Sequence, residues 1–177
     1  NEVKYKALMD GLECSEIMLS DIDKIKFRFD SDYYSKPNLK IEETIRLLGG
    51  KSIRDLEATM DCSAFYPSIT GFYNTDENGV PFLRVNEIID GLVQITASTV
   101  FLPQEVLDEN KKTIAIAYPG DIVIAKGGNT LAKVGLVNNA YDKYAISRDV
   151  IVLHTDKLID INNYYLWDFL DCVRIMV

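Results

Sequence analysis

Alternation and helical spacing are the first signals along the chain. Ile25-Lys26-Phe27-Arg28-Phe29 alternates apolar and charged positions with the period of a half-buried strand, and Glu16 to Leu19 is a shorter strand candidate. From Ser35 to Leu48 the apolar residues Leu39, Ile41, Ile45 and Leu48 are spaced for one buried side of a helix. Pro37 suits its first turn, and Gly49-Gly50 can stop it in the left-handed region. Ser52-Ile53-Arg54-Asp55-Leu56 then suits a single helical turn with a serine cap.

Between Asp61 and Gly79 no period holds. Turn formers and aromatics alternate without order, which predicts a long loop, and loops of that length inside a domain are often functional. Pro81 to Val85 reads as a short strand, and Leu102 to Leu107 as a short helix with Pro103 at its start. An all-β stretch follows: Thr113 to Ala117, a turn at Tyr118-Pro119-Gly120-Asp121, Ile122 to Ala125, Lys133 to Val137, and Asp149 to His154. At the end Ile161, Tyr165, Phe169, Leu170 and Val173 recur at helical spacing behind a cap at Asp160 or Asn162. The order predicts an α+β fold around a twisted, mainly antiparallel sheet. It divides into an N-terminal addition packed on the domain (1–50), a central domain (51–160) and the start of a C-terminal helix (161–177).

Composition narrows this picture only modestly. The 177 residues are 47% hydrophobic and 26% charged, enough for one substantial core. With 19 Lys plus Arg against 27 Asp plus Glu, the net charge of −8 excludes a polycation that grips nucleic acid indiscriminately, so any phosphate contact must come from a local patch. No apolar run has the length of a membrane span and the start has no signal-peptide core, which predicts a cytoplasmic protein without a membrane partner. A start without Met and an end inside an apolar stretch are expected of a piece of a longer chain.

Cys14, Cys62 and Cys172 are odd in number and widely separated, which leaves neither a disulfide framework nor a C-x-x-C zinc site. The single histidine, His154, ends a β-branched run and reads as a strand-end residue.

Catalytic motifs are missing. There is no G-x-x-x-x-G-K-[ST] phosphate loop and no G-x-G-x-x-G turn, so no cofactor is implied. The five prolines are isolated, which excludes the Pro-Pro-aromatic turn of amino-methyltransferases within this stretch. Asp121 and Lys126 invite comparison with a metal-dependent nuclease, but Ile124 stands where such a site needs an acid. Asp30 and Asp32 could place two carboxylates on one strand face, against the plainer reading of a solvated strand end, and the same holds for Asp21/Asp23 and Glu42/Glu43. A small metal-dependent hydrolase or nuclease, or a protein-only interaction module, are the competing functional classes.

The most informative block is Tyr118 to Val137. Pro119-Gly120 suits a type II turn whose amides Asp121 can cap, after which Ile122 to Ala125 enters the core. At Lys126-Gly127-Gly128-Asn129-Thr130 the strand gives way to a tip where glycines allow close approach, Asn129 and Thr130 offer donors and acceptors, and Lys126 and Lys133 offer charge. Such a tip can hydrogen-bond base edges; it can also be only a turn.

Five segments in order resemble a known family: Gly79-Val80-Pro81-Phe82-Leu83-Arg84-Val85, Ile88-Ile89-Asp90-Gly91, Pro119 to Gly128, Lys133-Val134-Gly135-Leu136-Val137, and Tyr164-Tyr165-Leu166-Trp167-Asp168-Phe169-Leu170. They are similar to the target recognition domains of type I restriction-modification specificity subunits, over about residues 51 to 172. Each motif is short and degenerate; their order and spacing are specific. The tip is longer than the G-[T/S]-[I/V]-G of many members, which shifts the residues that would touch DNA. Only one recognition domain is present, where a specificity subunit usually has two, so the resemblance implies a fragment, a half-subunit or the recognition domain of a fused N6-adenine methylase.

The resemblance implies a sequence-specific reader of double-stranded DNA without catalysis of its own. An N6-adenine methyltransferase subunit and a translocating nuclease subunit would supply the DNA methylation and cleavage. Its DNA-facing residues would be Lys126, Asn129, Thr130 and Lys133 at the tip, with hairpin solvation as the plainer alternative. Arg84 would offer a bidentate fork to guanine or phosphate, or else pair with an internal carboxylate. In the preceding loop Tyr66, Ser68, Thr70, Tyr73 and Asn74 are next, unless the aromatics plug the core. Tyr144 and Arg148 fall where the last recognition-loop residues lie, with a surface salt bridge as the alternative for Arg148.

Overall fold

The strands in the second half of the chain alternate so regularly that neighbouring residues serve two different cores. The computed structural model describes residues 2–12, 15–20, 22, 31–64, 68–127 and 131–175. Backbone contacts divide the chain into two units, Asn1–Lys51 and Ser52–Val177.

In the first unit, α1 spans Glu2–Met9 and α2 spans Lys36–Leu47, with Pro37 in the first turn. Gly49 sits at φ 73° and the amide of Gly50 donates to Ile45 O at 2.8 Å, so the two glycines close α2 in a left-handed cap. The expected buried side of α2 is not found: Ile41, Ile45 and Leu48 are exposed, and neither helix has a buried residue. Helical spacing reports which residues share a side, not whether anything covers it. Glu16 to Leu19 is irregular rather than a strand, and the alternating run Ile25 to Phe29 lies outside the described residues.

The second unit opens with the turn 53–57, where Ser52 Oγ accepts the amide of Asp55 and the Asp55 carboxylate accepts the amide of Ser52. Among the described residues, ten strands and two α-helices follow. They are β1 (Thr59–Cys62), β2 (Val80–Leu83), β3 (Ile88–Ile89), β4 (Leu92–Val93), β5 (Val100–Leu102), α3 (Gln104–Glu109) and β6 (Ile116–Ala117). After these come β7 (Ile122–Ala125), β8 (Val134–Leu136), β9 (Tyr144–Ile146), β10 (Val150–His154) and α4 (Asn163–Ile175).

A six-stranded sheet runs β1-β10-β7-β8-β4-β3, and a four-stranded sheet runs β5-β2-β9-β6. Pairing is mainly antiparallel, with β2–β9 and β4–β8 parallel. This is the α+β architecture expected, although its strands divide between two sheets rather than one.

Alternation explains the layering. Val123 and Ala125 of β7, with Val150 and Val152 of β10, face Leu83, Tyr144 and Ile146 of the smaller sheet. The intervening Ile122 and Ile124 turn outward to join Leu153, Val134, Leu166, Trp167 and Leu170 under α4. Across the smaller sheet, Val80, Phe82 and Ala145 pack under α3 through Val106 and Leu107.

The long loop from Asp61 is partly regular: its start is β1, an exposed edge strand, and Thr70–Phe72 forms a 3-10 turn. In α4 Leu166 is buried and Trp167 and Leu170 are half-buried, while Tyr165, Phe169 and Val173 are exposed, a shift of the predicted stripe. Among the described residues no helix is long and apolar enough to cross a membrane.

Candidate nucleic-acid interface

Strand register decides which separate segments meet. β7 and β8 are antiparallel, with Ile124 opposite Val134, so their connection leaves the sheet at one end. The amide of Ala125 donates to Lys133 O at 2.8 Å and that of Ala132 to Ala125 O at 2.9 Å, closing the base of the tip. Lys126 then fastens the tip sideways, its amide donating to Asp149 O at 2.9 Å in the turn between β9 and β10. Lys126, Lys133 and Arg148 therefore stand at the same end of the sandwich. Lys126 and Arg148 are exposed and Lys133 half-buried. Asn129 and Thr130 lie outside the described residues.

β2 arrives at this end as well, because it is parallel to β9 and Leu83 O accepts the amide of Ser147 at 2.9 Å. Arg84 emerges here but turns inward. Its Nη2 donates to Glu87 Oε1 at 2.8 Å and to Ser98 O at 2.8 Å, while its backbone amide donates to Glu87 Oε2 at 2.9 Å. Glu87 is fully buried and also accepts from Thr99 Oγ1. The hydrogen bond to Glu87 raises the guanidinium pKa above its usual value. The arginine holds a buried carboxylate and a neighbouring turn, the alternative weighed for it in the sequence.

Of the remaining loop residues, Ser68 and Thr70 are exposed with their hydroxyls 3.0 Å apart, and Tyr66 lies outside the described residues. Tyr73 packs its ring against Phe82, with centroids 5.6 Å apart. Asn74 bridges to Phe101 and donates from Nδ2 to Asn78 O at 3.0 Å, so it closes the loop rather than facing outward.

Tyr144 requires a correction. Its side chain is wholly buried between the sheets, and its hydroxyl donates to Asn138 Oδ1 at 2.5 Å and accepts the amide of Tyr141. Burial raises the pKa of this phenol. Tyr144-Ala145-Ile146 is a central strand with a core on each side, so no DNA-facing role is left for Tyr144.

One pair of cations was not anticipated. β6 runs antiparallel to β9, and the segment before it continues that pairing where the amide of Ile146 donates to Ala115 O at 2.9 Å. The amide of Ala64 donates to Thr113 O at 2.8 Å, and Ser63 Oγ accepts the amide of Ala115 and donates to Ile146 O. Lys111 and Lys112, both exposed, thus join the end that holds Lys126, Lys133 and Arg148. Among the described residues no ion pair engages Lys111, Lys112, Lys126 or Lys133. Among the described residues, acids at this end include Asp61, Glu109, Asp149 and the buried Glu87 that Arg84 holds. The only signal in the sequence was a Lys-Lys pair just ahead of a β run.

The opposite end is built differently. Tyr118 to Asp121 is a type II turn, with Gly120 at φ 91° and the amide of Asp121 donating to Tyr118 O at 3.0 Å. The buried Asp121 carboxylate accepts the amides of Tyr118 and Thr155 at 2.9 and 3.1 Å and lies 2.8 Å from His154 Nδ1. An open cleft of about 720 Å³ beside it is lined by Thr59, Tyr118, His154, Thr155, Lys157 and Asn163, among others. Since Asp121 and Lys126 stand at opposite ends of β7, about 16 Å apart at strand rise, they form no joint site. Among the described residues no group of three or more His, Cys, Asp or Glu side chains is placed to hold a metal ion.

Fold and charge together define an α+β sandwich with a cationic, loop-built end. No protein-family model matches the chain, and no curated protein matches it. Among solved structures it is similar to an HsdS subunit from Thermoanaerobacter tengcongensis, with 15% identity and a TM-score of 0.47 over 78% of this chain and 38% of that one. It is also similar to a chain from a structure describing complex assembly and conformational transition of the type I R-M system. There the identity is 15% and the TM-score 0.48, over 97% of this chain and 40% of that one. The chain spans about two fifths of the length of each.

Proposed function

We propose that this chain is a DNA target recognition module of a type I restriction-modification system. The reading rests on the ordered motifs that resemble specificity-subunit recognition domains. The observation that supports it best is the convergence of Lys126, Lys133 and Arg148 at one end, from segments joined only by register. In this reading Lys126, Lys133 and Arg148 meet phosphates, Asn129 and Thr130 read base edges, and Ser68 and Thr70 with Tyr66 flank the contact. Arg84 is a positioning residue for the 84–87 turn. An N6-adenine methyltransferase subunit and a translocating nuclease subunit are the proposed partners, in the cytoplasm, and the chain itself supplies no catalytic step.

The test is a competition between cognate and scrambled duplex, with the chain assembled on its methyltransferase partner. Asn129→Ala is expected to cost about 1–3 kcal/mol on the cognate site alone and to relax preference at one position, with melting unchanged. Lys133→Ala is expected to weaken both duplexes alike, because a phosphate contact carries no sequence information. Equal losses for both variants on both duplexes would deny Asn129 a reading role. No loss from either would remove the tip from the interface.

A further inference from the structure

The cationic end has two arms, and they come from different layers. Lys126 and Lys133 flank the β7–β8 tip in the six-stranded sheet. Lys111 and Lys112 follow α3, on the far side of the four-stranded sheet, just before β6. α3 crosses from the opposite end, where Gln104 Oε1 accepts Lys143 Nζ at 2.6 Å beside the start of β9. It therefore delivers the two lysines to the cationic end.

The spacing follows from the layers. Thr113 is tied to Ala64, just beyond β1, while Lys126 and Lys133 adjoin the ends of β7 and β8, two or three strands away across the sheet. Two or three strand spacings combined with one sheet-to-sheet spacing put the arms on the order of 15 Å apart. Between them stands the 147–149 turn with Arg148.

A major groove is about 12 Å wide between its two backbones. We infer that Lys111 and Lys112 grip the phosphates of one DNA strand while Lys126 and Lys133 grip those of the other. The end then straddles a groove, with the 147–149 turn between the two backbones. This rests on the DNA-recognition reading above and adds to it the form of the ligand, a duplex held by both strands. It also assigns a binding role to two residues outside every motif of the resemblance. Their side chains are exposed and, among the described residues, engaged by no carboxylate, so replacing them removes charge without removing a core contact.

The full chain is titrated with a mixed-sequence duplex of about two helical turns over a range of salt. It is then titrated with the same duplex bearing a neutral methylphosphonate backbone on one strand only. Lys111→Ala with Lys112→Ala is expected to reduce the log-log salt slope by about 2, since each phosphate contact contributes about 0.9. Lys126→Ala with Lys133→Ala is expected to reduce it similarly, and Lys111→Arg with Lys112→Arg to preserve it.

The half-neutral duplex discriminates further. A straddled groove loses one arm whichever way the protein lies, so the slope falls by about half. If both arms sat on one strand, the protein would turn to the charged strand and keep the full slope, which would overturn the straddle. Duplex binding with a slope unaffected by Lys111→Ala and Lys112→Ala would overturn this inference and leave the recognition reading intact. No binding of wild type to the fully charged duplex at any salt, either alone or assembled on its methyltransferase partner, would overturn the recognition reading itself, and this inference with it.

Discussion

The same strands end in two places that follow opposite rules. At the Asp121 end each oxygen of the carboxylate is occupied by the fold: two backbone amides and His154 Nδ1 converge on it, and Gly120 O accepts from both Thr155 Oγ1 and Asn163 Nδ2. At the Lys126 end the backbone is equally well fastened, but among the described residues no carboxylate pairs with the lysines. Polar groups that the fold consumes explain stability, whereas fixed backbone presenting uncommitted charge is what a ligand site requires. Arg84 shows that position alone does not assign a role, since it stands at the cationic end and is consumed by Glu87.

Damage at the Asp121 end should therefore appear in folding. Asp121→Ala strands two backbone amides and the His154 partner, and should lower stability by about 2–4 kcal/mol in urea unfolding. A change below about 0.5 kcal/mol would show that water replaces the carboxylate without cost, and the contrast between the ends would fail. Arg84→Ala should cost about 2–3 kcal/mol. It leaves the buried Glu87 without its cation, held by the residue 84 amide and Thr99 Oγ1 alone, although the arginine side chain is itself 31% exposed, so water softens the loss. Should Arg84→Ala instead keep its melting temperature and lose DNA affinity, Arg84 would rejoin the reading residues.

Gly120→Ala should cost about 1 kcal/mol or more. The position needs φ near 91°, and an added Cβ would lie 3.2 Å from Asn163 Nδ2. An unchanged thermal transition would mean that the turn relaxes to another type.

What the sequence reveals follows the same physics. β7, β10, α2 and the Pro119-Gly120 turn are legible because period or turn chemistry is complete within a few residues. β9 is not, because Tyr144-Ala145-Ile146 is buried on both faces and shows no alternation, so nothing local counters the loop position that the resemblance implies for Tyr144. β3 and β4 are two residues each, too short to carry a period. The buried side of α4 was misplaced because Tyr165 and Phe169 satisfy helical spacing as well as Leu166 and Leu170 do, and only packing chooses between them. The candidate site was legible in its parts and not in its assembly. Lys126, Lys133 and Arg148 stand out as residues, but their convergence with Lys111 and Lys112 depends on β9 pairing parallel to β2 and antiparallel to β6, which no local pattern encodes.

Gly127 offers the smallest expected effect on folding and the sharpest contrast with Gly120. A Cβ added there would meet no atom within 4 Å, and its φ is not in the left-handed region, so the fold does not require glycine at this position. Gly127→Ala should leave stability within about 0.5 kcal/mol. If the tip lies against DNA, the same methyl group occupies the gap between backbone and ligand, and affinity for duplex should fall although neither charge nor melting has changed. Gly120→Ala should do the reverse, lowering the melting temperature while leaving the affinity of the folded fraction unchanged. Were Gly127→Ala neutral in both measurements, nothing would approach the tip at residue 127, and the contact would have to centre on Lys133, Arg148 and the loop near Thr70.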